Sequence, residues 1–343
     1  MLAQKSESQT SFQKTSQEVI YQLHALLHQD MEALTGVIIA KLVSDVELIP
    51  TIAKHLILAG GKRIRPLLAV SCYRLLTKEK TSPKIIELAA AIEFIHNATL
   101  LHDDVVDAST LRRGRPTANV LWGNKASILV GDFLFAKAFE LMLGESGPRV
   151  LPILAKVSQT ITEGEVFQLS YLRTFDMQEQ HIMRIIGTKT AALFSASCEI
   201  GAALLNKTEH AQLMLHEYGY HLGVVFQLID DILDYTGNES TLGKSVGDDL
   251  AEGKVTLPLF IAYERSSKEI KDQLQAIISK TKVTEEDFAF VLKSLHESCA
   301  IEEVFTLAHN HVNEAVKCLV DFDESPIKSL LLELPKSILL REF

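Results

Sequence analysis

Apolar residues recur along this chain at intervals of three and four residues, the spacing that places them on one face of an α-helix. The clearest case contains Ile85, Leu88, Ile92 and Ile95 and leads directly into the acidic Asp103. Similar stretches cover Asp132–Leu143, Leu151–Leu172, His181–Leu205, His210–Tyr235 and Thr256–Tyr263. Strand-like alternation bounded by turn residues is missing from the sequence. The pattern therefore predicts an all-α protein.

Turn-forming glycine and proline positions separate these stretches. They occur at Gly60-Gly61, at Gly114 and Pro116, at Gly144 and Gly147-Pro148, at Gly237, and from Gly243 to Gly253. No linker rich in proline, glycine and serine divides the chain, and no short repeat is present. We predict one all-α domain at residues 17–343, preceded by a polar, poorly ordered lead-in at residues 1–16.

Two copies of one acidic pentapeptide interrupt the apolar pattern, DDVVD at residues 103–107 and DDILD at residues 230–234. On a helix the first and fifth positions lie one turn apart on the same face, so each copy presents paired oxygens. Carboxylates are expensive to bury without positive partners. Two such helices facing each other would suit Mg²⁺, which bridges carboxylates to a substrate phosphate. The pattern predicts a diphosphate site.

The composition argues against several classes of protein. The 343 residues are 47% hydrophobic, but no uncharged apolar run reaches about 18 residues, so we predict no transmembrane segment. A net charge of −10 argues against nucleic acid or an anionic membrane as a partner held by bulk charge. Cys72, Cys198, Cys299 and Cys318 lack metal-ligand spacing and are expected to be free, buried thiols. The polar N-terminus has no signal core, and we expect a cytoplasmic location.

Two basic clusters could supply a local anion site. Lys62, Arg63 and Arg65 follow the glycine pair at residues 60–61, a pattern equally typical of a solvated basic turn. The second cluster, Arg112 and Arg113 with Arg115, comes five residues after the first acidic motif. Arginine suits bidentate phosphate contacts, so acid and base this close favour a metal–diphosphate–guanidinium arrangement.

Single basic residues near the motifs are weaker candidates. Lys189-Thr190, Lys244 and Lys254 would each be typical of a surface, but beside two acidic motifs they become phosphate-binding candidates. His96 lies two helical turns before the first motif, and Glu93-x-x-His96 has the spacing of a di-iron ligand pair. A di-iron bundle needs a second Glu-x-x-His, which this sequence lacks.

With these residues assembled, the chain resembles the trans-isoprenyl diphosphate synthases, in particular the bacterial long-chain polyprenyl (octaprenyl or solanesyl type) branch. The resemblance spans most of the chain from about residue 20. It rests on GGKRIRP at 60–66, FIHNATLLHDDVVDASTLRRGRPTAN at 94–119, GNKASILVGDFLFAKAF at 123–139, GTKTAALFSASCEIGA at 187–202, and FQLIDDILDYTGNESTLGKSVGDDLAEGKVTLPL at 226–259. Two departures are Asn97, often threonine in similar sequences, and Asp248, often asparagine.

The resemblance implies an isoprenoid-synthase-type bundle of helices around a deep central cavity, usually as a homodimer. It implies three Mg²⁺ ions bound by Asp103, Asp107 and Asp230, with Asp104, Asp231 and Asp234 in support. Arg112, Lys189, Lys244 and Lys254 would bind the allylic diphosphate. Lys62, Arg65, His96 and Arg113 would bind isopentenyl diphosphate, with Thr190, Phe226 and Gln227 nearby.

The implied activity is the successive head-to-tail condensation of isopentenyl diphosphate onto an allylic diphosphate, giving a long all-trans chain for a respiratory quinone. In this family, large aromatic residues four and five positions before the first aspartate stop chain growth. Here Thr99 and Ala98 are small, so we place the cavity floor further along, near Ile95, Ile92, Phe135 or Phe139.

Three alternatives stay open. A shorter-chain synthase, making farnesyl or geranylgeranyl diphosphate, would use the same motifs. A class I terpene cyclase would share the first motif, but its second typically has the pattern Asn-x-x-x-Ser-x-x-x-Glu. A non-catalytic subunit of a heteromeric synthase would generally have lost aspartates, and all six are present here.

Overall fold

The computed structural model describes residues 14–78, 81–143, 148–237 and 246–340. The first half contains α1 Ser16–Leu26, α2 His28–Lys41, α3 Leu48–Ile57, α4 Ile64–Thr77, α5 Pro83–Val106, α6 Ala118–Trp122, α7 Asn124–Leu143 and α8 Val150–Leu169. The second half contains α9 Glu179–Ile185, a π-helix at Ile186–Ala191, α10 Ala192–Leu204, α11 Glu209–Thr236, α12 Asp248–Glu252, α13 Leu257–Arg265, α14 Lys268–Ile278, α15 Glu285–Glu297, α16 Ala300–Cys318 and α17 Pro326–Leu339. The all-α prediction is confirmed.

One β-hairpin interrupts the helices. Strands β1 (Leu111–Arg112) and β2 (Arg115–Pro116) pair antiparallel, with Leu111 opposite Pro116 and Arg112 opposite Arg115. Two residues per strand are too few to give an alternating pattern in the sequence, so the hairpin could not be predicted. It turns the chain back directly after the first acidic motif.

The core forms where α5, α10 and α11 pack with α4, α7 and α16. Its largest fully buried side chains include Phe94 on α5, Phe194 on α10 and Tyr218 on α11. Helix α5 is long and apolar enough to span a membrane by length and composition, but 72% of that window is buried inside the protein. It is therefore the central helix of the packed core.

The two acidic motifs end up at different places on their helices. Helix α5 starts with Pro83, and the hydroxyl of Ser82 accepts a hydrogen bond from the Lys84 amide. It ends within the first motif, where the Asp107 amide donates to the Asp103 carbonyl at 2.8 Å. The second motif lies wholly inside α11, which continues to Thr236. The first motif therefore runs to the end of its helix, whereas the second ends two residues before its helix does.

At the N-terminal end, Thr15 and Glu18 form a capping box and α1 starts at Ser16. Residues 14–16 thus belong to the fold, while the rest of the predicted lead-in lies outside the described residues. The four cysteines are free; Cys72, Cys198 and Cys318 are buried as predicted, whereas Cys299 is exposed.

Candidate active site

The first acidic motif is held by cations from the segment that follows it and from far along the chain. Arg112 donates to Asp104 Oδ1 from Nε at 2.9 Å and from Nη2 at 2.7 Å. Lys254 Nζ lies 3.0 Å from Asp107 and 2.5 Å from Glu252. Burial lowers the pKa of Lys254, but the charges of Asp107 and Glu252 outweigh burial and the net shift is upward.

Within the described part of the chain, two acids of the second motif accept hydrogen bonds from neutral donors. Gln227 donates to Asp231 at 2.7 Å and accepts from the Thr190 hydroxyl at 2.6 Å. Asp234 is fully buried, and its side chain accepts from the amide of Asp249 at 3.2 Å. This bond holds the first turn of α12, the helix that precedes Lys254.

Lys189 extends from the π-helix toward α8. Its Nζ lies 2.9 Å from Glu165 and 3.0 Å from Gln168. A Cβ at Gly164 would come within 2.3 Å of the Thr188 hydroxyl, so glycine is what allows α8 to approach the π-helix. Such π-turns are frequent at functional sites. Sequence reasoning missed Glu165 and Gln168; their one-turn spacing on the apolar face of α8 was the available signal.

These groups meet at one cavity of about 80 Å³, lined by Gln168, Lys189, Thr190, Gln227, Asp231, Asp249 and Lys254 among others. Lys254 lines this cavity and also binds Asp107, so it links the cavity beside the second motif to the first motif. A larger cavity of about 360 Å³, lined in part by Phe260, Glu264 and Arg265, contains none of the predicted site residues. Converging charge rather than volume makes the smaller cavity the candidate active site.

Burial and neighbouring charges change the protonation of the first acidic motif. The pKa of Asp103 is raised from 3.8 to about 7, chiefly by burial. Lys189 and Arg112 oppose this shift, while Glu165 and Asp107 add to it. Acids that raise one another's pKa values are a common feature of functional sites, and a bound cation would relieve their repulsion.

A basic cluster lies on the N-terminal side of the first motif. Arg65 Nη1 donates to His96 Nε2 at 3.3 Å, and its guanidinium lies 4.6 Å from the centre of the Phe194 ring. The Arg113 guanidinium packs over Gly61, where a Cβ would be 2.7 Å from Nη1. Burial, together with the neighbouring arginines, lowers the pKa of His96 well below its usual value, so this histidine is a neutral acceptor.

A sequence model of the polyprenyl synthetase family matches residues 46–295. The chain belongs to the polyprenyl synthetase family. It is 39% identical over 316 residues to octaprenyl diphosphate synthase of Escherichia coli strain K12, covering 91% of this chain and 96% of that protein. It is 40% identical over 312 residues to the all-trans-nonaprenyl-diphosphate synthase (geranyl-diphosphate specific) of Rhodobacter capsulatus, covering 90% and 94%.

A solved relative has the same fold. The polyprenyl synthase from Caulobacter crescentus CB15, crystallised with calcium and isoprenyl diphosphate, superposes with a TM-score of 0.89 at 41% identity, covering 99% of both chains. The predicted family and isoprenoid synthase fold are confirmed, and this polyprenyl synthetase is a prenyltransferase enzyme.

Within this polyprenyl synthetase the structure brings most of the predicted site residues together. Lys189, Thr190, Gln227 and Lys254 line the cavity beside the second motif, and Arg112 lies at the first. Phe226 packs against Phe194, 5.5 Å between ring centres, and so borders the basic cluster through Phe194. Lys62 precedes this cluster, and its carbonyl accepts a hydrogen bond from His24 at 3.0 Å. Lys244 lies outside the described residues.

The predicted chain-length residues lie on α5 beneath the first motif. Ala98, Ile95 and Ile92 are fully buried, and the Thr99 hydroxyl donates to the carbonyl of His96 at 2.8 Å. Phe135 packs against the core, whereas Phe139 is 39% exposed. Of the two aromatic floor candidates, Phe135 is therefore the more buried within one chain.

Proposed function

We propose that this enzyme makes a long-chain all-trans polyprenyl diphosphate by Mg²⁺-dependent, successive head-to-tail condensation of isopentenyl diphosphate onto an allylic diphosphate. The ion pair between Lys254 and Asp107 carries the proposal, because it links the first acidic motif to the cavity that Asp231 of the second motif lines. The octaprenyl and nonaprenyl products named for the two relatives support a long chain.

Magnesium fits the donors that the site offers. The six motif aspartates supply hard oxygen ligands, and we assign metal binding to Asp103, Asp107 and Asp230, with Asp104, Asp231 and Asp234 in support. In the described ranges, no three acidic, histidine or cysteine side chains lie close enough to form a complete metal site. This suits an ion that takes further ligands from water and diphosphate oxygens. When bound, three Mg²⁺ ions would withdraw charge from the diphosphate and make it a better leaving group.

The cations of the chain act on the same leaving group. Lys189, Lys254 and Arg112 are already fixed by the neighbouring acids Glu165, Asp107 and Asp104. Preorganised donors stabilise the charge that develops as the allylic C–O bond breaks, without reorganising at that moment. We assign Lys244 to this group as well, from the sequence resemblance alone.

The reaction conserves atoms and charge without a nucleophilic side chain. The electron pair of the breaking C–O bond leaves with diphosphate. The double bond of isopentenyl diphosphate then attacks the allylic cation and forms the new C–C bond. A proton lost from the incoming unit passes to the departing diphosphate and restores an allylic double bond. The apolar core beneath the site keeps water from the cation.

We place isopentenyl diphosphate at the basic cluster formed by Lys62, Arg65, His96 and Arg113. The Arg65 guanidinium is fixed between Phe194 and His96, and the glycine at position 61 leaves room for Arg113. Thr190, Phe226 and Gln227 lie between this cluster and the second motif. The cluster is separate from the cavity cations, as two diphosphate substrates require.

The growing tail would run along α5, away from the first motif. Ala98 and Thr99 leave space just below Asp103, and Ile95 follows one turn further on. A quinone side chain is the use that we propose for such a product. Because α5 is a core helix and net charge is −10, we propose a cytoplasmic enzyme that contacts membranes only transiently to release product.

We further propose a homodimer. Helices α6 and α7 expose a run of large apolar side chains that the chain itself leaves uncovered: Val120, Leu121, Ile128, Leu129 and Phe139. Contiguous exposed apolar surface of this kind marks an interaction face. A second copy of this chain fits the family and would cover it.

One incubation tests the function. Purified enzyme is given Mg²⁺, farnesyl diphosphate and radiolabelled isopentenyl diphosphate, and the dephosphorylated products are sized. Long all-trans polyprenols are expected. Products of farnesyl or geranylgeranyl size would favour the shorter-chain alternative, cyclised hydrocarbon would favour a terpene cyclase, and incorporation only after adding a second protein would favour a heteromeric subunit.

A further inference from the structure

A buried carboxylate lies among the arginines of the basic cluster. Glu93, on α5 three residues before His96, is only 6% exposed. Its Oε2 atom has no hydrogen-bond donor within the described part of the chain. A buried polar atom left unmatched calls for a structural or functional reason. The mechanism above does not use Glu93.

The same cluster contains an unmatched donor. Arg65 has no acceptor for its Nε among the described residues, although its Nη1 and the face of its guanidinium are held by His96 and Phe194. Burial lowers the pKa of Arg65 to about 10, and Glu93 is the charge that most opposes this shift. Glu93 also most opposes the lowering that burial causes in the pKa of Arg113.

Charge is unbalanced in this cluster, with more guanidiniums than carboxylates. Burial raises the pKa of Glu93, and a hydrogen bond with the Asn97 side chain together with the charges of Arg63, Arg65 and Arg113 opposes this shift. Across the described ranges no direct ion pair joins Glu93 to Arg65 or Arg113, so their N–H groups stay available to a ligand. An excess of positive charge held near one buried acid suits a diphosphate, which carries at least two negative charges.

We propose that Glu93 is a positioning residue: the counter-ion that keeps Arg65 and Arg113 charged, buried and oriented toward the diphosphate of the isopentenyl substrate. This role rests on the proposed function. Glu93 touches no reacting atom and acts through the two arginines. Without it, guanidiniums in a buried site lose their compensating charge and turn toward solvent.

Two effects oppose each other when Glu93 loses its charge. Removing an anion makes the cluster more positive, which by itself tightens diphosphate binding. Losing the counter-ion lets the arginines move, which weakens binding. We expect the weakening to win, because without the compensating charge of Glu93 the buried guanidiniums repel one another and move apart.

The test compares Glu93→Gln, which keeps the shape and removes the charge, with Glu93→Asp, which keeps the charge. Glu87→Gln, six residues earlier on α5, is the matched control. Condensation kinetics are measured separately for isopentenyl diphosphate and farnesyl diphosphate, and equilibrium binding of isopentenyl diphosphate alone is measured by calorimetry. Thermal unfolding reports whether each variant is folded.

Glu93→Gln should raise the KM for isopentenyl diphosphate about tenfold, weaken its equilibrium binding to the same extent, and change the KM for farnesyl diphosphate by less than about twofold. Glu93→Asp should recover most of the loss, and Arg65→Ala should show the same substrate selectivity. An unchanged or lower KM for isopentenyl diphosphate in folded Glu93→Gln would overturn the proposal, as would equal effects on both substrates. If the wild-type enzyme binds isopentenyl diphosphate but does not condense it, the proposed function is wrong. The binding measurements on the Glu93 variants then still test the positioning role of Glu93.

Discussion

At the end of α5, Asp104 and Asp107 are each bound by a cation, Arg112 and Lys254. Inside α11, the corresponding acids Asp231 and Asp234 are bound by a glutamine amide and a backbone N–H. The two pentapeptides are nearly identical in sequence, but one ends its helix next to a hairpin and the other lies within an unbroken helix. Among the described residues, the two motifs therefore differ in the groups that bind them rather than in their own sequence.

The difference suggests a division of work. Ion pairs can be exchanged, since an arginine or lysine that leaves an aspartate can bind a diphosphate oxygen with similar geometry. Hydrogen bonds from Gln227 and from the backbone fix a carboxylate in place without adding charge. We therefore interpret the first motif as the adjustable half of the site and the second as its fixed half.

The largest expected effect is on turnover, and it should be the same for both acidic motifs. Asp103→Ala and Asp230→Ala should each slow condensation at least about a hundredfold, because each removes a metal ligand at the ionising diphosphate, worth about 3 kcal/mol of barrier. Steady-state turnover at saturating Mg²⁺ measures it. Asp272→Ala, an exposed aspartate on α14, is the control. Near wild-type turnover in either variant would disprove the metal assignment for that motif.

The pH dependence of the free energy of unfolding tests the environment of Asp103 in the first motif. Asp103 has a pKa of about 7 in the folded protein against an ordinary value of 3.8, so the folded state binds a proton that the unfolded chain releases. The contribution of Asp103 to the free energy of unfolding is therefore fully present below about pH 4 and is lost as pH rises to about 7. Asp103→Asn, which cannot ionise, should become more stable relative to wild type between pH 5 and pH 8.

The expected gain between pH 5 and pH 8 is about 1 kcal/mol, roughly half the linkage value for that interval because part of the side chain is exposed. Denaturant unfolding in EDTA at the two pH values measures it, with Asp272→Asn as control. A stability difference between Asp103→Asn and wild type that does not vary with pH would show that Asp103 is ionised throughout this range.

The sequence predicts site residues that local spacing reveals, but it does not predict contacts between residues far apart in the chain. The two motifs, the all-α class and most site residues follow from local spacing. The Lys254–Asp107 ion pair spans 147 positions, and no local pattern specifies which acid a distant lysine will bind. Glu165 was missed for the same reason: α8 reaches Lys189 only because Gly164 permits close packing against the π-helix. Local sequence patterns predict the individual site residues, whereas tertiary packing determines which of them contact one another.

Stability should reveal which half is the fixed one. Asp234→Ala removes the acceptor for the Asp249 amide and should lower the free energy of unfolding by about 1–2 kcal/mol. Asp107→Ala removes one of the two carboxylates that bind Lys254 and leaves Glu252 in place, so it should lower the free energy of unfolding by less than about 1 kcal/mol. Urea unfolding without metal measures both. A larger loss for Asp107→Ala would reverse our assignment of adjustable and fixed halves.

Product length should depend on the helix that carries the first motif. Five and four residues before Asp103 are Ala98 and Thr99, whereas the matching positions before Asp230 are Val225 and Phe226. Only α5 therefore has small residues where a tail would pass. Ala98→Tyr should place a phenol in that path and give farnesyl- or geranylgeranyl-sized products. The rate of the first condensation should fall by less than about tenfold, because no charged group changes and the ionisation barrier stays nearly the same.

The competing interpretation is that Ala98, which is fully buried, only packs against a neighbouring helix. Overpacking would then cost about 1–3 kcal/mol of stability and slow all condensations without shifting the product distribution. Sizing the products and measuring thermal unfolding on the same preparation distinguishes the two, with Ala98→Ser as a small-volume control that should keep the long product. Long polyprenyl chains from a folded Ala98→Tyr enzyme would mean that the tail leaves the first motif by another route, and the contrast between α5 and α11 would then concern charge alone.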